Sequence, residues 1–408
     1  MKFLKDLSLS AINAGFVTVL VGYTSSGVII FQAARTLGAS PEEIGSWLLA
    51  LGIGMAVTSI GLSLRYRMPI ATAWSTPGGA MVITAASGLS MADAIGAFIV
   101  AGLLMAIAGF SGWFERVMNR IPLSIAAGML AGILLKFGLD AFASLNTAFP
   151  LVFSMLVSYL LARRLIPRYA TLVPLILGAT IGLVQGNVSF SNVELTLATP
   201  VWVTPHFTLD ALIGVALPLF VVTMASQNLP GLTVLRASGF NAPASPLLGW
   251  TGTATVLLAP LGGFTINLAT ITAAICTGRE AHENPDKRYV AAIAAGIFYL
   301  LVGLFGATVG ALFSAFPKEF IFAIAGLALL NTIANSLVTA LKEESQREPA
   351  LITFLVTASG VTLFGVGSAF WGMVAGVLAL VTLNADSKRP LLKRSATSAK
   401  PEAGSPRE

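Results

Sequence analysis

Trp74-Ser75-Thr76-Pro77-Gly78-Gly79-Ala80-Met81-Val82-Ile83-Thr84-Ala85-Ala86 lies inside an apolar segment, 70–88, that is short and interrupted. A plain spanning helix needs about 20 mostly apolar residues. Here two hydroxyls, Ser75 and Thr76, precede Pro77, which is the pattern of a helix start. The segment is therefore expected to run extended and to become a half-helix near mid-membrane. A second segment of this kind, 263–277, contains Gly263-Phe264-Thr265-Ile266-Asn267-Leu268-Ala269-Thr270-Ile271-Thr272-Ala273-Ala274, with Thr265 or Asn267 as its expected cap. Both contain an Ile-Thr-Ala-Ala run, at 83–86 and 271–274, which aligns them with an offset of 188, and Pro69 and Pro260 lie upstream.

The chain around these segments is apolar throughout. Of 408 residues, 56% are hydrophobic and only 10% are charged, against about 25% charged in a soluble domain. So few charges cannot cover a water-facing surface, which excludes an ordinary soluble enzyme or a nucleic-acid partner. The alternating ten-residue segments of a membrane barrel are absent. Fourteen apolar segments can be read, at 11–34, 44–64, 70–88, 93–113, 121–138, 148–162, 170–187, 210–228, 244–260, 263–277, 289–315, 320–340, 350–365 and 367–384. If all cross and the N-terminus is cytoplasmic, 21 of the 24 Lys and Arg lie inside and only Arg35, Lys136 and Lys318 lie outside. That bias is the one expected of inner-membrane proteins. It places both termini in the cytoplasm, and residues 385–408 read as a disordered cytoplasmic tail. The loop 188–209 holds no Lys or Arg and divides the chain into two halves of seven segments. Seven is odd, so the halves must have opposite topology. The expected fold is an all-α polytopic membrane protein: fourteen transmembrane segments in two inverted seven-span repeats, with half-helices in spans 3 and 10.

Two half-helices facing inward would present positive N-terminal ends and unpaired N–H groups, an anion-binding device. The candidate contacts are Ser75, Thr76, Gly78, Gly79, Thr265, Ile266 and Asn267. The first and eighth spans end in similar polar clusters, Gly22-Tyr23-Thr24-Ser25-Ser26 and Thr223-Met224-Ala225-Ser226-Gln227-Asn228. Polar groups inside an apolar run must face protein, water or a ligand. Tyr23, Ser25, Gln227 and Asn228 are assigned to the cavity wall, whereas Ser26 and Ser226 suit helix–helix hydrogen bonds equally well. Tyr23, Trp74 and Phe264 are apolar enough to face an aromatic body. None of the 18 acidic residues falls in the middle of a segment, which argues against an intramembrane hydrolase and a carboxylate proton relay. With one Cys and two His, no metal site is expected. His282 lies in the loop after the tenth segment, where it reads either as a solvated residue or as a gate or proton-relay element.

The run Pro246-Leu247-Leu248-Gly249-Trp250-Thr251-Gly252, then Ala259-Pro260-Leu261-Gly262-Gly263-Phe264-Thr265-Ile266-Asn267-Leu268-Ala269, then Thr272-Ala273-Ala274-Ile275-Cys276, Glu280-Ala281-His282 and Arg288-Tyr289, resembles the BenE family of bacterial benzoate transporters. So does Val21-Gly22-Tyr23-Thr24-Ser25-Ser26, and the likeness extends over roughly 5–385. It implies a benzoate/proton symporter of the inner membrane, energised by the proton gradient without a cofactor. It also implies a core domain (1–118 and 206–316) that moves like an elevator against a gate domain (119–205 and 317–384), usually in a homodimer within lipid. The proton would ride on the substrate, on His282, or through waters near Asn228. A nucleobase or other small organic anion permease of the same fold is the alternative. Nucleobase permeases carry an acid in span 8, where this chain has Ser226-Gln227-Asn228. Their Q-N-x-G pattern appears here as Ile266-Asn267-Leu268-Ala269.

Overall fold

The computed structural model describes residues 6–85, 88–112, 122–188, 190, 193–279, 281–361, 363 and 368–384. The expected tail, 385–408, lies outside the described residues.

Helix α1 is Leu9–Thr36 and α2 is Pro41–Tyr66. Strand β1, Thr72–Trp74, leads into α3, Thr76–Ala85. Next come α4 (Met91–Phe110), α5 (Leu123–Ala143), α6 (Phe149–Leu165) and α7 (Leu172–Val184). The second half holds α8 (Leu209–Arg236), α9 (Ala244–Leu258), strand β2 (Ile266–Leu268) and α10 (Ile271–Thr277). It ends with α11 (Tyr289–Leu304), α12 (Gly306–Ser314), α13 (Lys318–Ala340), α14 (Glu344–Ala358) and α15 (Ser368–Asn384). Among the described residues, seven helices are long and apolar enough to cross a membrane, and these include α1, α2, α4, α8 and α13. The chain is a helical, multi-pass membrane protein.

Local chemistry sets the element boundaries. Ser40 caps α2 and Glu43 reaches back to the Ser40 N–H, a reciprocal capping box, with Pro41 in the first turn. Both interrupted segments do start extended. β1 and β2 pair antiparallel, Thr72 opposite Leu268, Ala73 opposite Asn267 and Trp74 opposite Ile266. The observed starts correct the alignment read from the sequence. Thr72 and Ile266 are 194 positions apart, and Thr76 and Ile271 are 195 apart. The offset of 188 matched the end of α3 to the beginning of α10, a coincidence in segments built from few residue types. The expected cap is corrected as well. Asn267 lies in mid-strand and Thr265 precedes the strand at φ 24, while Thr270 stands at the start of α10.

Two groups of helices pack together. α11 lies against α1 and α2, and α9 lies against α4. In a second group α13 and α14 pack on α5, and α15 packs on α14. Close approach is needed in the first group: a Cβ at Gly252 would stand 2.4 Å from Ala106 N. Gly262, at φ 93, lies so near Trp47 that a Cβ there would meet the indole at 1.7 Å. The loop after α7 crosses one end of the first group as a strap. Its Thr196 N–H donates to Thr308 Oγ1 at 3.0 Å, Ala198 N–H to Leu304 O at 2.8 Å and Val203 N–H to Pro260 O at 2.8 Å. His206 pairs with Asp93 at 2.8 Å.

Thr255 on α9 ties a helix to the second strand. Its hydroxyl donates to Thr251 O at 3.0 Å and accepts from Ile266 N–H at 2.8 Å, all of it buried. Replacing Thr255 with Val keeps the volume and strands a buried N–H, which costs about 1–3 kcal/mol. A clear fall in melting temperature of the detergent-solubilised variant is expected; an unchanged melting point would remove this bond from the account.

Candidate substrate cavity

The two polar clusters read from the sequence have the same local form. Tyr23–Gly27 in α1 and Met224–Asn228 in α8 are both five-residue π-helical stretches. Such a turn widens the helix and leaves carbonyls poorly matched within it. Hydroxyls take them up: Ser25 Oγ donates to Val21 O at 2.6 Å, Ser26 Oγ to Gly22 O at 3.0 Å and Ser226 Oγ to Val222 O at 2.5 Å.

Between these stretches and the first turns of α3 and α10 lies a cavity of about 580 Å³, a size that suits a small organic ligand. α1 contributes Ser25 and Ser26, the β1–α3 segment contributes Trp74 and Thr76, and α8 contributes Ser226 and Gln227. Thr270 and Thr272 line it from α10 and its start, and Tyr299 from α11. The opposite wall is α5, with Leu123, Ala126 and Leu130, and α13, with Asn331, Thr332, Asn335, Ser336 and Thr339. No charged side chain lines it among the described residues.

The donors that remain for an anion can be traced. Ser75 Oγ accepts from Gly78 N–H at 3.0 Å and from Thr223 Oγ1 at 3.0 Å, so of the two hydroxyls before Pro77 it is Ser75 that caps α3. Thr76 then begins the helix at the cavity surface. The Thr270 hydroxyl donates to Gln227 Oε1 at 3.3 Å. That contact fixes the amide with its Nε2 hydrogens left to serve another acceptor. One wall is aromatic. Trp74 Nε1 donates to Ser26 Oγ at 2.8 Å, and the Trp74 and Tyr299 rings lie edge to face with centroids 6.1 Å apart.

Of the residues expected at the site, Ser25, Thr76 and Gln227 line the cavity. The others lie behind its surface. Tyr23 is partly buried and lies edge-on against Trp74, with centroids 4.8 Å apart. Ser75 acts as the cap. A side chain at Gly78 would meet Leu219, and one at Gly79 would meet Ile30 and Phe264, so both glycines face packed side chains. Phe264 packs at a tilt against Trp47 and Phe98, at centroid distances of 5.8 and 5.6 Å. Thr265, Ile266 and Asn267 are wholly buried at the strand pair. Asn228 Oδ1 accepts from Leu268 N–H at 3.0 Å and its Nδ2 donates to Met224 Sδ at 3.2 Å, so Asn228 pins β2 to α8. His282 Nδ1 accepts from Asn284 N–H at 3.0 Å within its own loop. The sequence reading missed the polar face of α13. Its signal was available, since Asn331 and Asn335 recur at a four-residue spacing inside an apolar span.

The family model described as benzoate membrane transport protein matches residues 5–382. The chain belongs to the BenE family. Over 371 residues it is 49% identical to "Inner membrane protein YdcO" of Escherichia coli (strain K12), covering 91% of this chain and 95% of that protein. Over 384 residues it is 44% identical to the "Benzoate membrane transport protein" of Acinetobacter baylyi (strain ATCC 33305 / BD413 / ADP1), covering 94% and 98%. Among solved structures it resembles the overall structure of SLC26A9, with a TM-score of 0.62 at 12% identity over 94% of this chain and 67% of that one. The transmembrane domain of the cyanobacterial bicarbonate transporter BicA gives a TM-score of 0.57 at 13% identity, over 90% and 97%. At those identities the likeness concerns the fold alone. This BenE-family chain is a membrane transport protein and not an enzyme.

Ser75→Ala removes the α3 cap and the partner of Thr223. Loss of an N-cap costs about 1 kcal/mol, so a moderate drop in thermal stability is expected, with weaker ligand binding because Thr76 is no longer held at the helix start. Stability and binding both equal to wild type would contradict this role for Ser75.

Proposed function

We propose that this protein imports benzoate or a related aromatic carboxylate across the bacterial inner membrane together with a proton. The observation that carries the reading is the make-up of the cavity wall. Among the described residues it has no charged side chain, it has aromatic Trp74 and Tyr299 on one side, and it offers amide and hydroxyl donors at Gln227 and Thr76. A carboxylate on an aromatic ring uses both features: the ring lies against Trp74 and Tyr299, and the carboxylate takes the Gln227 Nε2 hydrogens and the N-terminal end of α3. The description of the family and the name of the Acinetobacter relative support the same substrate class.

In this reading the chain crosses the membrane fourteen times as two inverted halves, with both termini in the cytoplasm. The matching π-helical stretches and the matching strand–helix segments support that symmetry. The first packed group, with α3, α8 and α10, forms a core that carries the substrate. The group around α5 and α13 forms a gate that serves as scaffold and homodimer contact, and the core moves against it like an elevator. The cavity lies between the two groups, which supports the division. The proton gradient supplies the energy without a cofactor. In this reading the proton enters with the carboxylate, which fits the engagement of Asn228 and of His282 Nδ1 in local hydrogen bonds.

Uptake of labelled benzoate into proteoliposomes, driven by an inward proton gradient, tests this reading. Wild type should accumulate benzoate, and His282→Ala should keep its coupling. Gln227→Leu should raise the KM for benzoate about tenfold, as expected when a charge-assisted hydrogen bond is lost. No uptake of any aromatic acid would overturn the proposal.

A further inference from the structure

An uncharged cavity raises the question of what draws an anion into it. Arg163 answers it from the gate side. It stands in the last turn of α6, which packs against α13. Its Nη1 donates to the hydroxyl of buried Tyr159, one turn earlier, at 2.8 Å. Its Nη2 donates to Asn331 Oδ1 at 2.9 Å. No ion pair among the described residues includes Arg163, and the partners it shows are the neutral oxygens of Tyr159 and Asn331. An arginine keeps its charge at any physiological pH.

The contact with Asn331 also has a direction. A guanidinium only donates, so it fixes Oδ1 of Asn331 toward itself and leaves the Nδ2 hydrogens for another acceptor. Asn331 lines the cavity, and so does Asn335, one turn further along α13. The hydroxyls beside them are occupied as donors: Ser336 Oγ donates to Thr332 O at 2.7 Å and Thr339 Oγ1 to Asn335 O at 2.8 Å. The two amides, with the Thr332 hydroxyl between them, are therefore the donors this wall offers.

We propose that Arg163 and Asn331 form a second carboxylate station on the gate wall, distinct from the Gln227–Thr76 end of the cavity. Asn331 binds the carboxylate through Nδ2. Arg163 is a positioning residue that orients this amide and supplies the positive potential that attracts the anion to the cavity. The station rests on the aromatic-carboxylate reading given above and adds a route of entry and exit along α13.

Titration of benzoate into the solubilised full-length protein by calorimetry, at salt concentrations from about 0.02 to about 0.3 M, tests it. Attraction by a peripheral charge is screened over this range, so wild-type binding should weaken as salt rises. Arg163→Gln should bind benzoate about three- to tenfold more weakly at low salt and lose most of the salt dependence. Arg163→Lys should keep the salt dependence but bind less tightly, because one ammonium cannot bridge Tyr159 and Asn331 together. Asn331→Ala should weaken binding to a similar degree and keep the salt dependence. The double variant should be little worse than Arg163→Gln, since the two residues act through one contact. Arg164→Gln, with the neighbouring charge removed, serves as the control and should match wild type.

Wild-type affinity and wild-type salt dependence in Arg163→Gln would overturn the proposal, and so would fully additive effects of the two substitutions. If Arg163→Gln does not fold, Asn331→Ala and Arg163→Lys decide it, and wild-type binding in both would overturn it. A wild-type protein that binds no benzoate would instead defeat the substrate reading itself.

Discussion

The pairing of two three-residue strands, Thr72–Trp74 with Ile266–Leu268, is the constraint on which the rest of the molecule depends. An extended backbone within a membrane protein cannot leave its N–H and C=O groups to hydrocarbon. Each broken segment therefore supplies the other with hydrogen-bond partners. Side chains complete the accounting from outside the pair. Thr255 takes the Ile266 N–H, Asn228 takes the Leu268 N–H, and Ser59 takes the Thr72 N–H at 3.0 Å. Polar residues that look like ligand contacts in the sequence are thereby committed to holding the strands.

That commitment limits which polar groups are left to face the cavity. Because β1 and β2 run antiparallel, α3 and α10 leave the pair from opposite ends, and their starts line one cavity together with the π-helical stretches of α1 and α8. At the rim of this arrangement, Thr76 and the Nε2 of Gln227 face the cavity. The aromatic wall follows from the same geometry. Trp74 is the last residue of β1, and its indole N–H reaches Ser26 on the opposing π-helical stretch.

Much of this was legible in the sequence, and the limits have physical causes. Composition and the absence of mid-segment charges give a helical membrane protein. The interruption at Pro77 gives the extended-then-helical form of the segment, and local rules narrow its cap to Ser75 or Thr76, between which the Gly78 N–H bond to Ser75 decides. What local rules could not supply was the choice of donor at each polar position. Asn267 and Gln227 are equally polar in the sequence, yet one is buried in a strand pair and the other faces the cavity, and only tertiary pairing decides which. The cap of α10 was misplaced at Thr265 or Asn267 because the strand occupies that stretch before the helix can begin. The α13 wall was overlooked because its asparagines lie far in sequence from the segments they face.

The neutrality of the cavity has an energetic reason. A fixed cation about 4 Å from a bound carboxylate, at an effective dielectric of about 20, contributes about 4 kcal/mol. That is close to a thousandfold in affinity, and it would act chiefly by slowing release. A carrier must release its substrate in every cycle, so so strong a contact at the binding site opposes turnover. In the proposed reading, dipoles and amides at Thr76 and Gln227 give direction with weaker retention. A cation set back at Arg163, bonded to neutral oxygens and open to screening, adds attraction without holding the anion where it binds. The sparse charge of the chain is thus a condition of transport as well as of residence in the membrane.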